Sequence, residues 1–172
     1  MRKVLSVYLA ATLMTALLCS CSAPAKVEDY LGEYDYEAPA ICMVYEPVEG
    51  EFDEEGNALY GIQYREVTDL EQLLKVPDTT FLLYFYNALD SSGWGITAAV
   101  EDIAEAEEGR LVVVALDQSQ YTDLTSTFGI YAVPDFALVR NNAEVSVFGS
   151  GNYSEWSVAD VVMWLDANGY PI

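Results

Sequence analysis

The side chains with the most chemistry to offer in this 172-residue chain are three cysteines, Cys19, Cys21 and Cys42, and the polar run Asp90-Ser91-Ser92-Gly93. Two thiols close in space make a dithiol–disulfide couple, a serine beside a base makes a nucleophile, and a carboxylate in a cleft can move protons. Each option is narrowed by what the sequence lacks. There is no histidine, which removes the usual general base near neutral pH and the commonest transition-metal ligand. Ser91 and Ser92 have no base in view, and neither histidine nor a second acid accompanies Asp90. The acids of Glu51-Phe52-Asp53-Glu54-Glu55-Gly56-Asn57 lack the ligand spacing of an EF-hand and read as a solvated hairpin tip. No catalytic residue, metal or cofactor is therefore assigned.

The cysteines divide by context. Met1-Arg2-Lys3 is a short positive head, and the apolar run from Val4 to Leu18 has the length of a signal-peptide core, short for a membrane-spanning helix. The run ends in Leu18-Cys19-Ser20-Cys21, which resembles the lipobox of bacterial lipoproteins. Cys21 fits better than Cys19 as the acylated residue, because Ser20 is small where Leu18 is bulky. The plainer alternatives are an ordinary cleaved signal or an uncleaved anchor. A lipid at Cys21 would tether the chain to a membrane on its extracytoplasmic side, each buried methylene contributing about 0.8 kcal/mol. Only Cys42 would then remain, and one thiol makes no intramolecular disulfide. It lies in the apolar run Ile41-Cys42-Met43-Val44-Tyr45, where a buried, inert thiol is expected.

Loss of the first 20 residues leaves 5 basic against 28 acidic side chains, a net charge of −23. Such a surface repels phosphate backbones, so nucleic acid is excluded as a partner.

From Ser22 to about Ala38 the chain carries acids, interleaved tyrosines and no sustained period, and reads as a flexible tether. The remainder, 39–172, is one domain's worth. Ala40–Tyr45 and Leu59–Glu66 are expected strands, and Thr68-Asp69-Leu70-Glu71 is a capping box opening a helix that runs to about Lys75. Phe81–Tyr86 and Leu111–Leu116 are apolar enough for strands buried on both faces. Gly95 to Glu108 carries Ile96, Ala99, Val100, Ile103 and Ala104 on one helical stripe. A weaker helix over Ser119–Phe128 stops at Gly129. The Asn141-Asn142 turn joins Phe136–Arg140 and Glu144–Phe148 in a hairpin. Ser157-Val158-Ala159-Asp160 starts a last helix that Asn168-Gly169 closes. That alternation predicts an α/β sandwich with a mixed sheet.

The element order, with a Val-Pro step just before the terminal hairpin, is similar to thioredoxin over roughly residues 59–169. Leu83 to Ala104, "LYFYNALDSSGWGITAAVEDIA", lies without gaps on the family's strand, active-site loop and helix. Gly129-Ile130-Tyr131-Ala132-Val133-Pro134 resembles the segment leading to its cis-proline, and Leu165-Asp166-Ala167-Asn168 the end of its last helix. The resemblance implies a three-layer sandwich to which the Ala40–Tyr45 strand or hairpin is an N-terminal addition.

It also implies a vacated redox site. Asp90-Ser91-Ser92-Gly93 stands where the family has Cys-Gly-Pro-Cys, Tyr84 where it has a buried aspartate, and Leu89 where a tryptophan precedes the first cysteine. Asp90 then reads as a helix N-cap, worth about 1 kcal/mol, and the two serines as first-turn residues. Pro134 would be cis, with Val133 offering main-chain hydrogen bonds to an extended polypeptide. Leu89, Trp94 and Tyr131 would form an apolar patch around that step. The leading expectation is a redox-inactive, lipid-anchored module that binds an envelope protein or extended peptide. The alternatives are an enzyme of non-thiol chemistry, a redox protein using Cys42 alone, and an acidic spacer domain.

Overall fold

The computed structural model describes residues 23–89 and 94–172, with backbone alone at 94 and 95. Seven strands alternate with four helices. In chain order they are β1 (Leu31–Tyr34), β2 (Ala40–Phe52), β3 (Ala58–Val67), α1 (Leu70–Leu73), β4 (Thr80–Tyr86) and α2 (Trp94–Ala106). β5 (Val112–Asp117), α3 (Thr122–Thr127), β6 (Asp135–Arg140), β7 (Ala143–Val147) and α4 (Val158–Ala167) follow. The strands form one mixed sheet in the order β1-β3-β2-β5-β4-β6-β7. β4 pairs in parallel with β5 and antiparallel with β6.

Helices cover both faces, so the central strands are apolar on both sides and the period-2 alternation vanishes from them. Leu82, Tyr84, Val113, Ala115, Phe136 and Leu138 meet α2 and α4 through Val100, Ile103, Val161 and Leu165. Phe81, Leu83, Phe85, Val114 and Leu116 meet α1 and α3 through Leu73, Leu74, Leu124 and Phe128. From β4 onward the order is the expected β-α-β-α-β-β-α, with the Val133–Pro134 bond cis just ahead of the terminal hairpin. This is the expected three-layer α/β sandwich with a mixed sheet.

The N-terminal part departs from expectation in three ways. First, the added strand is an interior member of the sheet. β2 takes the place beside β5, with Ile41 opposite Ala115, and β3 lies outside it. The connection from β3 through α1 to β4 therefore passes over two strands, β2 and β5. Second, part of the segment read as a tether belongs to the fold. Val27–Tyr30 is a 3₁₀ turn, and β1 pairs with β3, held by Arg65, whose Nε donates to the Gly32 carbonyl at 2.7 Å. The short β1 carries too few residues to display a period. Third, α1 is capped one residue later than its sequence suggests. Asp69 accepts from the Gln72 amide at 3.0 Å, while the Thr68 hydroxyl donates to the Tyr30 carbonyl. The turn before β1 thus takes the hydroxyl that would otherwise have capped the helix.

Other local signals stand where the sequence puts them. Asn141 and Asn142 adopt positive φ in the β6–β7 turn, as a two-residue hairpin requires. Ser157 and Asp160 form the capping box of α4. Among the described residues no helix is long and apolar enough to cross a membrane.

Candidate functional site

β4 and β6 run side by side with Phe85 opposite Asp135. One residue further along each strand, the register carries the turn after β4 toward the Val133–Pro134 step. That turn is tied by the Asn87 side chain, whose Oδ1 accepts from the Leu89 amide at 3.0 Å. The described part of that turn, 87–89, and the cis-proline segment are thereby neighbours. Leu89 and Tyr131 are each 95% exposed, while Val133 and Pro134 are half-buried. Two large apolar side chains are thus in water at this end of the sheet. Asp90, Ser91, Ser92 and Gly93 lie outside the described residues, as do Cys21 and the side chain of Trp94.

Directly after Pro134, β6 begins with a buried carboxylate. Asp135 is 1% exposed and accepts from the amides of Phe136 (2.8 Å) and Gly149 (3.0 Å), and from Ser150. Burial holds its carboxyl above the ordinary aspartate range, although these donors pull the other way. Its role is to lock the β7–α4 connection against the residue after Pro134. A lone acid inside an apolar strand, directly after Val-Pro, was the available sequence signal.

Cys42 is the thiol farthest from reactivity. It is 1% exposed on the α1/α3 face of β2, and burial pushes its pKa up to about 12. At neutral pH it is a thiol, as its apolar neighbours in sequence suggested.

A second feature adjoins the loop on the α2 side and was not foreseen. A cleft of about 450 Å³ opens between α2, the C-terminal end of β4 and the β1–β2 connection. Its depth comes from one small residue. Ala115 of β5 is in register with Tyr84 on one side and Ile41 on the other, so a methyl group stands between two long side chains. Tyr84 and Tyr86 project from the same face of β4, stacked with centroids 5.7 Å apart. Tyr34 and Tyr36 stand across the cleft, 6.2 Å apart, and Tyr64 comes from β3. The Tyr84 hydroxyl lies 3.2 Å from the Thr97 hydroxyl of α2. Burial raises the phenol pKa of Tyr84 and Tyr86, so both stay neutral. Glu101 completes the lining, with its carboxyl raised by burial first and by neighbouring Asp102 second. The two-residue spacing of Tyr84 and Tyr86 predicts a shared face. Nothing in sequence, however, brings Tyr34 and Tyr36 across from them.

No protein-family model matches the chain, and no curated protein matches it. Similar solved structures include the following two. The germline-specific thioredoxin Deadhead of Drosophila melanogaster matches with a TM-score of 0.45 and 17% identity, over 52% of this chain and 81% of that one. A malarial protein matches with a TM-score of 0.42 and 14% identity, over 52% of this chain and 97% of its own. Neither likeness bears on substrate, partner or chemistry.

Proposed function

We propose that this chain is a lipid-anchored, extracytoplasmic thioredoxin-like domain without dithiol chemistry, serving as a binding module for an extended polypeptide or envelope protein. The observation that carries the reading is the pair Leu89 and Tyr131, both 95% exposed, on the two loops that the β4–β6 register brings to the cis Val133–Pro134 step. A peptide lying across this step would bury both side chains and hydrogen-bond to the main chain of Val133. Two further observations support it. No cysteine follows Cys42 in sequence, so the loop between β4 and α2 holds no thiol. Cys42, buried and with its pKa near 12, is poorly suited to act as a single nucleophilic thiolate. The anchor is carried by the Leu18-Cys19-Ser20-Cys21 sequence, and the orientation follows from it.

The test is binding of an extended-peptide library to the purified protein, beside Leu89→Ser and Tyr131→Ser. Each substitution should weaken the selected peptides by about tenfold, the scale of an interface anchor. Peptides that bind all three proteins equally would remove the groove from the proposal. Reduction of insulin disulfides above background would overturn its non-redox part.

A further inference from the structure

The cleft beside α2 meets the Val133–Pro134 step at Tyr86, but its chemistry is different. The rings of Tyr34, Tyr36, Tyr64, Tyr84 and Tyr86 line it, and among the described residues its one charged lining group is Glu101. We propose that this cleft is a binding site for a small organic cation of the alkylammonium class, held by the tyrosine faces and by the Glu101 carboxylate.

Three observations lead to the cation. The rings come from opposite sides, Tyr34 and Tyr36 at and after the end of β1 and Tyr86 on the sheet, while Tyr84, 1% exposed and stacked between Tyr86 and Phe136, is the floor beneath them. Such an enclosure stabilises a diffuse positive charge through the ring quadrupoles and suits a quaternary ammonium better than a compact, strongly hydrated ion. Glu101 is half-buried, and none of the ion pairs among the described residues involves it. Burial, and after it the neighbouring Asp102 carboxylate, raises its carboxyl pKa, and an ammonium group would offset both. Finally, the chain carries 28 acidic side chains, so its field concentrates cations at the surface and repels anions. The volume of about 450 Å³ is in the range of small-molecule sites. A neutral apolar ligand would fill the same space but would leave Glu101 desolvated and unpaired.

The experiment is calorimetric titration of the purified protein with choline and with its neutral isostere 3,3-dimethylbutan-1-ol, at about 150 mM salt so that bulk attraction is screened. Choline should bind saturably and about tenfold more tightly than the alcohol, the size of one cation–π and charge contribution. Glu101→Gln should weaken choline several-fold and leave the alcohol unchanged. Tyr86→Leu should weaken choline by a similar factor, whereas Tyr86→Phe, which keeps the ring and serves as the folded control, should retain it. Equal affinity for the two ligands, or no saturable choline binding, would overturn the proposal. So would choline affinity that survives both Glu101→Gln and Tyr86→Leu. Peptide binding at Leu89 and Tyr131 should be unaffected by Glu101→Gln, so the two sites are tested separately.

Discussion

Among single residues, Glu107 shows how burial and charge oppose each other. Its side chain is fully buried. One carboxylate oxygen pairs with Arg110 at 2.6 Å, and Oε2 has no hydrogen-bond partner among the described residues. Burial raises its pKa, and Arg110 offsets this in part. A carboxyl whose folded pKa lies above its unfolded value favours folding below about pH 4, and that contribution is lost as pH rises through the folded pKa. Glu107→Gln removes the titration. Its melting temperature relative to the wild type should therefore climb between about pH 4 and pH 7. Curves that stay parallel over this range would show that the buried carboxylate is solvated in the native state. Asp135 has the same direction of shift but more donors, and its burial is explained by the turn it fastens beside Pro134.

At the scale of elements, the N-terminal hairpin decides the shape of the cleft. β1 is four residues long and lies at the sheet edge, so it depends on side-chain ties as well as its pairing with β3. Arg65 provides one, donating to the Gly32 carbonyl while it also pairs with the Glu46 carboxylate of β2 at 3.3 Å. An added Cβ at Gly32 would lie 3.2 Å from the Thr68 methyl and 3.3 Å from Glu66 Cβ, so a larger residue here would press on both neighbours. Arg65→Ala should cost about 1–2 kcal/mol, the worth of charge-assisted hydrogen bonds. Amide exchange should then accelerate at residues 31–34 while β4 stays protected. Unchanged exchange there would mean that backbone pairing alone retains β1. Tyr34 ends this strand, so the same substitution loosens one wall of the tyrosine cleft.

At the scale of the whole molecule, an aromatic run links the cleft to the C-terminal helix. Tyr86 stacks on Tyr84, Tyr84 on Phe136, and Phe136 meets Phe148, which packs against Trp164 of α4. Trp164 is anchored in turn by its Nε1–H donating to Ser146 of β7 at 3.0 Å. This interior must outweigh the mutual repulsion of 28 acidic side chains, which only 7 basic ones offset. Long-range repulsion of this kind is screened by salt, with a Debye length of about 30 Å at 0.01 M falling to about 8 Å at 0.15 M. The melting temperature should therefore rise by several degrees as sodium chloride is raised from about 10 to 150 mM. A flat or falling response would show that local ion pairs outweigh the net charge.

Residue type and local spacing were enough for most of the helices and strands from β4 onward. The apolar runs Phe81–Tyr86 and Leu111–Leu116, the Asn141-Asn142 turn and the Ser157–Asp160 capping box act over a few residues, and the chain obeys them locally. The same holds for Cys42, whose apolar neighbours already implied burial, and for the missing loop cysteines, which are facts of composition. Three things needed the tertiary structure. β2 lies inside the sheet because strand neighbours are chosen by pairing across long loops, which periodicity does not encode. Thr68 and Asp69 exchange roles because the Tyr30 carbonyl, 38 residues away, accepts from Thr68. The tyrosine cleft exists because β1 folds back to set Tyr34 and Tyr36 opposite Tyr84 and Tyr86, with Ala115 as the low point between longer side chains. Local sequence sets what each segment prefers to be; only packing decides which distant segments share a face, and binding sites are built from those shared faces.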